Sequence, residues 1–261
     1  MSLLYSKSEL ELFISLLPQL GKDECWFVSL SARNKYLDGA ERDFYHLGRT
    51  EMFAREFIYE THIDNFMYVL ESLDAQLTYR KTKSGQLFPE KALIVYFNIN
   101  PASGIKAYMD FQKEMNKELA DLVNGLEKGH DNSGIYNRFK KCQSILKSSF
   151  QTQTSRKIFL DIDFDTKDMK YLDEFLFFCD RDGIKYVVVD TKSGFHVCLL
   201  KETITTNFMA KVQELDKRLK SETFEGKGEI ILNKNEMVPL PGTKQGLHEV
   251  RTIRGTIECL A

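Results

Sequence analysis

The chain has 261 residues, enough for one large domain or for two lobes around a cleft. Its formal net charge of -2 and its pI near 6.3 exclude a globally basic protein and argue against tight, sequence-independent duplex binding by this chain alone. The five cysteines, at positions 25, 142, 179, 198 and 259, form no Cys-x-x-Cys pair, which argues against an intrinsic zinc site and a disulfide framework and favours a reducing cytoplasm.

The first predicted element is a helix that ends at Pro18. Ser6 and Glu9 have the spacing of a capping box at its start. Its apolar stretch, residues 10–17, is short and is preceded by acidic residues, which is typical neither of a signal peptide nor of a membrane span. We therefore expect a cytoplasmic protein with no membrane partner.

Two strands and two helices are predicted in the rest of the first 100 residues. Residues 25–30 and 92–99 are apolar runs of strand length, and helices are predicted around residues 51–58 and 65–73. We interpret residues 1–100 as an N-terminal αβ lobe.

A helical insertion is predicted to follow this lobe. Residues 106–126 have the pattern of a long amphipathic helix, residues 129–134 are a polar turn, and residues 135–146 are a further helix. We assign residues 101–150 to this insertion, which ends just before the most informative segment of the chain.

That segment, residues 157–165, alternates with the period of a β-strand. Apolar residues occupy the even positions from 158 to 164, so they face one side, while Asp161 and Asp163 face the other. Two acids at this spacing repel each other unless a positive charge lies between them. Their hard oxygen atoms suit Mg²⁺ or Mn²⁺. The pair is therefore a candidate cation site, and the alternative is a solvated strand face.

A helix and a hairpin are predicted next. Thr166 or Asp168 caps a helix whose apolar residues fall at helical spacing and which ends near Gly183. The β-branched run at residues 184–190 and the run at residues 195–200 are joined by a four-residue turn, which indicates a hairpin.

The remaining elements complete the order β-α-β-β-α-β. A second helix has apolar residues at positions 208, 212, 215 and 219, and residues 229–232 form a last short strand. This order predicts an α+β fold in which residues 151–261 form a ferredoxin-like or RRM-like sheet, packed beside the N-terminal αβ lobe.

The predicted strand order in this sheet is fourth, first, third, second, with both helices on one face. The face that carries Asp161 and Asp163 is then expected to stay open. His196 on the third strand and Glu229 on the fourth become lateral neighbours of the aspartates, although the register decides which face each takes. Four polar side chains that converge on one open face are typical of an active site.

These segments, in this order, resemble the motifs of the archaeo-eukaryotic primase superfamily, in particular primase-polymerases of phage, plasmid and CRISPR-associated type. Phe-Leu-Asp-Ile-Asp at 159–163 resembles the first motif, and Ser-Gly-Phe-His at 193–196 resembles the second, Ser-x-His in a hairpin. Met-Val-Pro-Leu-Pro-Gly-Thr at 237–243 resembles the strand and Pro-Gly turn that follow the third acidic motif. Residues 29–36 resemble a basic segment of these proteins.

The third acidic motif departs from the family pattern, which has a hydrophobic residue followed by an acid about fifteen positions before the Pro-Gly turn. Glu229 fits this spacing, but a glycine precedes it. Glu236 is the alternative, and Asn233 lies where an acid would also fit.

The resemblance implies a primase-polymerase catalytic core that synthesises or extends DNA or RNA primers by template-directed nucleotidyl transfer, with two Mg²⁺ or Mn²⁺ ions. Asp161, Asp163 and Glu229 are the implied catalytic residues and metal ligands. The implied contacts to nucleoside triphosphate or template are Lys192, Ser193, Gly194, His196, Arg33, Lys35, Lys244, His248 and Arg251. The expected partners are dNTPs or NTPs, a single-stranded DNA template, and a helicase or other replication or CRISPR-associated protein.

Two alternatives stay open at this point. One is a non-catalytic accessory subunit that binds nucleic acid or nucleotide on the same fold, although an RNA-recognition sheet offers aromatic residues on its open face, where this one offers aspartates. The other is a different enzyme on the same topology. A rolling-circle nuclease requires a His-x-His pair, which the five histidines do not contain. A nucleotide cyclase requires neither the hairpin histidine nor the Pro-Gly turn.

Overall fold

The computed structural model describes residues 3–79, 81–128, 141–222 and 228–257, apart from the side chain of Phe53. The protein is an α+β protein with antiparallel sheets. The α-helices in the described residues are α1 (Lys7–Ser15), α2 (Gly39–Tyr45), α3 (Ile63–Leu77), α4 (Gly104–Glu127), α5 (Cys142–Thr152), α6 (Met169–Arg181) and α7 (Phe208–Glu222). In this part of the chain, no helix is long and apolar enough to cross a membrane.

Twelve strands in the described residues form two sheets. In chain order they are β1 (Glu24–Arg33), β2 (Thr50–Ile58), β3 (Leu93–Asn98), β4 (Ala102–Ser103), β5 (Phe159–Phe164), β6 (Tyr186–Asp190), β7 (Phe195–Leu200), β8 (Ile230–Leu232), β9 (Met237–Pro239), β10 (Lys244–Gln245), β11 (His248–Glu249) and β12 (Arg251–Gly255). The first sheet has the order β11-β10-β3-β1-β2, with β4 paired to β1 and β9 to β3. Strands from the last quarter of the chain therefore return to the N-terminal lobe.

The helix predicted around residues 51–58 was wrong, because this segment is strand β2. It pairs with β1 along its whole length, from Thr50 opposite Arg33 to Ile58 opposite Trp26. Its sequence is rich in residues that favour helices, but pairing with a central strand overrides this weak preference. Ala54, 4% exposed, and Ile58, 1% exposed, then enter the core beneath α3.

The other predicted elements of the first half are found close to their expected positions. Helix α1 has Ser6 as N-cap, with its Oγ accepting the Glu9 N–H at 3.3 Å, and the long helix of the insertion is α4. The predicted turn at 129–134 and the start of the helix predicted at 135–146 lie outside the described residues. Helix α5 runs from Cys142 to Thr152, beyond the predicted end.

The second sheet has the order β12-β6-β7-β5-β8, and all its neighbouring strands are antiparallel. Its elements follow one another as β5-α6-β6-β7-α7-β8, and β12 adds an edge strand beside β6 that the sequence did not predict. The apolar side chains of β5 meet both helices. Ile162 and Phe164 share one buried core with Phe175 of α6 and Leu215 of α7.

The opposite face of this sheet was expected to stay open, and that expectation was wrong. Phe159, Val189 and Cys198 lie on it and belong to the core that includes Trp26 of the first sheet. Asp161 lies between such residues and is only 1% exposed. The face is covered because its apolar positions on β6 and β7 exclude water by packing against the N-terminal lobe. Asp163, toward the end of β5, keeps 37% of its side chain exposed.

Gly194 brings the β6–β7 turn into direct contact with the end of β5. A Cβ atom at this position would lie 1.7 Å from the carbonyl oxygen of Phe164 and 2.9 Å from the backbone nitrogen of Thr166. No side chain fits there. The structure shows that this glycine lets two segments of the chain approach each other, and the nucleotide contact that the resemblance implies for it stays a prediction.

Replacing Gly194 by alanine is expected to lower the free energy of unfolding by about 3 kcal/mol or more, because a backbone segment must move to admit the methyl group. Urea denaturation measures the change. Gly39→Ala is the matched control, since a Cβ atom at Gly39 meets nothing within 4 Å and alanine favours the helix it begins. A Gly194→Ala protein as stable as the Gly39→Ala protein would contradict the close contact.

Candidate active site

A cleft of about 1330 Å³ lies between the two sheets. The first sheet contributes Arg33 of β1 and Tyr96 of β3, and the second contributes Asp163 of β5 and His196 of β7. The lining cations are Arg33, Lys35, Arg49, Lys106, Lys157 and Lys234, and the lining acids are Asp163, Asp165, Glu229 and Glu236. The chain has a small net negative charge, yet this cleft gathers enough cationic side chains to receive a polyanion.

Asp161 on β5 and His196 on β7 form a buried pair in the second sheet. The Nδ1 atom of His196 lies 2.8 Å from Oδ2 of Asp161, and the side-chain Nδ2 of Asn233 donates to the same oxygen at 2.7 Å. The Oδ1 atom of Asp161 is buried and has no hydrogen-bond partner in the described part of the chain. A carboxylate oxygen in this state points to an absent polar ligand or water.

Asp163 lies beside this pair and is open to the cleft. It is the direct cross-strand neighbour of His196, whose Nε2 lies 3.9 Å from its Oδ1, and 37% of its side chain is exposed. Partial burial raises the pKa of Asp163, and the nearby carboxylates of Asp161 and Asp165 add to this effect, while the charge of His196 opposes it. The burial of this carboxylate and its acidic neighbours therefore outweigh the opposing charges of His196 and Lys35 in setting its pKa.

His196 carries a positive charge over most of the physiological pH range. Burial alone would lower its pKa, but the charge of Asp161 and the hydrogen bond to it, together with Asp163, raise the pKa to about 9. A protonated imidazole donates from both nitrogens, so Nδ1–H is held by Asp161 while Nε2–H is directed toward Asp163. A cationic donor of this kind is suited to contact a phosphate oxygen.

The free energy of unfolding is expected to depend on this proton. The folded-state pKa of about 9 lies above the ordinary value of 6.5, so the stabilisation is complete below pH 6.5 and is lost as pH rises through 9. With a chelator present, we expect urea denaturation to show a loss of about 2 to 3 kcal/mol over this interval. His196→Gln does not titrate and should lack this component of the slope. Equal slopes for the two proteins would contradict the pairing.

A cationic group faces these acids from the first sheet. The ring of Tyr36 is flanked by Nζ of Lys192 at 4.4 Å and Nζ of Lys35 at 5.4 Å from its centroid. Gln245 holds the arrangement by donating to the Tyr36 hydroxyl and accepting the Lys192 N–H at 2.6 Å. Lys35 also reaches the hairpin turn, where its Nζ lies 3.5 Å from the Ser193 hydroxyl. The two lobes thus share one cationic surface.

Arg33 extends this surface toward the floor of the cleft. Its Nη1 donates to the Tyr96 hydroxyl at 2.8 Å, while its Nε is buried and unpartnered within the described residues. Burial and the charge of Arg33 lower the pKa of Lys35, and the charges of Asp165 and Asp163 oppose that shift. Cations this close to one another repel unless an anion lies between them, so the group is suited to bind a phosphate chain.

Of the residues predicted to bind nucleotide or template, Lys192, Lys244, His248 and Arg251 are not among the described residues that line the cleft. Lys192 lies against the ring of Tyr36, and the other three lie elsewhere. Each has an acidic neighbour outside it: Nζ of Lys244 lies 3.6 Å from Glu90, His248 Nε2 lies 3.4 Å from Asp190, and Arg251 pairs with Glu249. Lys244 and His248 lie on β10 and β11 at one edge of the first sheet, and Arg251 begins β12 at one edge of the second sheet.

The candidates for the third acid have different positions. Glu229 is exposed and lines the cleft beside the end of β5. Glu236 is only 7% exposed, has a left-handed backbone with φ of 56°, and binds Lys157 at 2.7 Å and Asn100 at 3.0 Å. These bonds fix the Glu236 carboxylate to other residues of the chain. Asn233, not an acid, is the lateral neighbour of Asp161, since its backbone N–H donates to the Asp161 carbonyl at 2.8 Å.

Several cleft residues were not predicted from the sequence. Asp165 continues the alternation of Asp161 and Asp163, so the signal for it was present in the spacing. Tyr96 and Gln245 had no recognisable pattern, because they come together with Tyr36 only through the pairing of β1, β3 and β10. Ser193 lies three positions before His196, one more than in the Ser-x-His pattern, and belongs to the turn rather than to β7.

The cleft suits a divalent cation by charge and donor type. Within the described residues, no group of three or more His, Cys, Asp or Glu side chains forms a complete metal site. Mg²⁺ is usually held by one or two carboxylates together with substrate phosphates, so a site completed by a triphosphate does not need three protein ligands. The Asp161 oxygen that has no partner within the described residues and the cleft-facing carboxylate of Asp163 agree with such a site.

Comparisons of the chain with protein-family models, with curated proteins and with solved structures gave no match. The residues of the cleft therefore provide the basis for its functional interpretation.

Proposed function

We propose that this protein is a template-directed nucleotidyltransferase, a primase-polymerase that makes or extends DNA or RNA primers. The observation that supports this best is the opposition of charges across one cleft. Asp163 and Asp165 line one side with His196, and Arg33 and Lys35 line the other. A nucleoside triphosphate with its cation needs both kinds of charge within the length of one molecule.

The residues have separate tasks in this reaction. Arg33, Lys35 and Lys192 bind the triphosphate and neutralise charge that builds on it as the α-phosphate is attacked. His196 donates Nε2–H to a phosphate oxygen on the acidic side of the cleft. Asp161, Asp163 and Glu229 are the ligands implied by the resemblance, and a bound Mg²⁺ or Mn²⁺ pair would stabilise the attacking and leaving oxygens of an in-line displacement.

The architecture supports the same proposal. We assign β5 to β8 with α6 and α7 to the ferredoxin-like or RRM-like class, on the basis of the element order β-α-β-β-α-β and the strand order β6-β7-β5-β8. This class agrees with the resemblance to primase-polymerases. The cleft walls at Arg49, Lys106 and Lys234 provide cations beyond the acids, where a single-stranded template backbone would lie.

The proposal is tested by synthesis on a single-stranded template with labelled dNTPs or NTPs, with and without a primer. We expect products whose sequence follows the template, formed with Mg²⁺ or Mn²⁺ and abolished by a chelator. The unprimed reactions decide whether the protein initiates or only extends. Absence of product and of nucleotide binding in a folded protein would overturn the proposal and leave an accessory subunit.

A further inference from the structure

Helix α4 is fixed to the first sheet at its N-terminus. Ser103 is the N-cap, and its Oγ accepts the Lys106 N–H at 3.1 Å. Asp23, which precedes β1, accepts from the Ser103 hydroxyl at 2.6 Å and from the Ile105 N–H at 2.7 Å. The helix has 24 residues and therefore spans about 36 Å from this fixed end.

One side of α4 packs against α5. The Ser149 hydroxyl donates to Oδ2 of Asp110 at 2.8 Å, and Sγ of Cys142 lies 3.6 Å from Sδ of Met115. Ala107 is the one residue of α4 that is buried, and neither of the two hydrophobic cores in the described residues includes a residue of this helix. Most of the α4 surface therefore lies outside the cores of the described chain.

An apolar stripe runs along the exposed side of α4. Its positions recur at helical spacing, so they follow one line along the surface of the helix. The stripe consists of Ile105, Tyr108, Met109, Gln112, Asn116, Leu119, Val123 and Leu126. Its six apolar side chains are 38% to 64% exposed, and Nε2 of Gln112 donates to the Tyr108 hydroxyl at 2.9 Å. A contiguous exposed apolar patch of this kind indicates an interaction surface.

The charges of α4 argue against nucleic acid and lipid as the occupants of this stripe. None of the eight stripe positions carries a charge, so the stripe has no cation to contact a phosphate. The other positions of the helix carry three lysines and five acids, a net charge of -2. A helix that binds an anionic lipid surface has a polar face rich in Lys or Arg instead. The remaining class of occupant is an apolar protein surface.

The stripe is complementary to its own reverse. Its two amides lie in the middle, and apolar residues lie toward both ends. One register of an antiparallel pair of α4 helices sets these residues opposite each other: Ile105 with Val123, Met109 with Leu119, and Gln112 with Asn116. Apolar residues then meet apolar residues, and amide meets amide. A polar residue within an apolar helix contact is a known device for fixing register and orientation.

The antiparallel orientation follows from how α4 is attached. Asp23 holds each helix at its N-terminus, so a parallel pair would bring both protein bodies to the same end of the contact. A parallel pair would also place the like ends of the two helix dipoles side by side. An antiparallel pair separates the two bodies and opposes the dipoles.

We propose that two copies of this chain associate through the α4 stripe as an antiparallel, two-fold symmetric pair. Because the same patch serves both copies, the contact is closed and stops at a dimer. None of the stripe residues is among the described residues that line the cleft, so the association goes beyond the proposed function and does not rest on it. One helix from each copy gives a smaller contact than the roughly 800 Å² per partner of a standard interface, so we expect a dissociation constant of about 1 to 100 µM.

Sedimentation equilibrium of the full chain without nucleotide, over about 1 to 200 µM, tests the association. Met109→Lys and Leu119→Glu should each weaken it about tenfold or more, since each puts unpaired charges into the apolar contact. Phe177→Glu is the matched control, because Phe177 is an apolar residue of α6 that is 70% exposed and lies outside the stripe. Its dissociation constant should stay within about threefold of the wild type.

A wild-type chain that stays monomeric at every concentration would overturn the proposal and leave the stripe to a different protein. A dimer that neither stripe substitution weakens would overturn it as well. Lysine and glutamate both favour helices, and far-UV circular dichroism checks that the two variants keep their helix content.

An equimolar mixture of the Met109→Lys and Leu119→Glu chains tests the orientation. In the antiparallel register, the introduced lysine of one copy faces the introduced glutamate of the other, while Leu119 of the first copy faces Met109 of the second. We therefore expect the mixture to form dimers more tightly than either variant alone. A parallel pair would set position 109 opposite position 109, so no charge pair would form. A mixture that associates no better than its components would overturn the antiparallel register.

Discussion

Asp163→Asn is expected to lower the rate of primer extension about a thousandfold or more while leaving the protein at least as stable as the wild type. Asparagine preserves the size of the side chain but removes the charge that faces His196 and the cleft. Loss of one charged group at a reacting phosphate removes several kcal/mol of transition-state stabilisation. Asp163 is one of the metal ligands that the resemblance implies, and it lines the cleft beside His196.

The expected gain in stability follows from the sign of the pKa shift. Because the pKa of Asp163 is raised in the folded chain, its ionised form destabilises the fold at neutral pH and the penalty disappears as pH falls below the ordinary value of 3.8. Asparagine removes this penalty. An inactive variant that is also more stable at pH 7 separates loss of chemistry from loss of structure.

Single-turnover extension of a primed template at saturating nucleotide measures the effect. The matched control is Asp173→Asn on α6, since Asp173 is an exposed acid that pairs with Arg254 at 2.7 Å, outside the residues of the cleft. It should retain the wild-type rate. Extension by Asp163→Asn at more than about a tenth of that rate would show that this carboxylate is not part of the reaction.

The elements in the second half of the chain could be predicted from the sequence because the patterns that indicate them are local. Alternation at residues 159–164 correctly predicted that Ile162 and Phe164 meet the helices, since the direction of side chains on a strand has period two. The helix predicted at 51–58 was wrong because the pairing of β2 with β1 is non-local. The return of β9 to β11 to the first sheet is non-local too, and no pattern in residues 237–249 indicates it.

The same difference between local and non-local signals applies to the candidate site. The closeness of Asp161, Asp163 and His196 was expected from the hairpin and from the strand order. The different exposure of the two aspartates was not expected from the sequence, because Asp161 is buried by the packing of Phe159 and its neighbours against the N-terminal lobe. Nor could the sequence show that Asn233 completes the bonding of Asp161, which depends on a loop between two sheets.

The cationic side of the cleft was suggested by the basic segment at 29–36, but only the structure relates it to the hairpin. Lys35 approaches Ser193 across the cleft, and Lys192 of the hairpin lies against Tyr36 of that segment. These contacts couple the position of the second sheet to that of the first. The cleft is therefore built by both lobes: Asp163 and Asp165 line it from the second, while Arg33 and Lys35 line it from the first, and the proposed nucleotide binding uses both pairs.

Arg33→Gln is expected to raise the KM for nucleotide about 10- to 100-fold, with a smaller change in kcat. Arg33 lines the cleft, and its buried Nε has no partner within the described residues. A hydrogen bond from a charged group to a phosphate contributes about 1.5 to 3 kcal/mol. Glutamine removes the charge and most of the donors. Initial rates at saturating template, with nucleotide varied, give the two constants.

Two controls separate this role from structural effects. Tyr96→Phe removes the acceptor of the 2.8 Å hydrogen bond from Arg33 but keeps the guanidinium, so its KM should stay within about threefold of the wild type. Arg254→Gln removes an exposed arginine that pairs with Asp173, outside the residues of the cleft, and should change neither constant. If Arg33→Gln weakens binding of template while the KM for nucleotide is unchanged, Arg33 contacts the nucleic-acid backbone instead. The phosphate chain would then depend on Lys35 and Lys192, the remaining cations beside Tyr36.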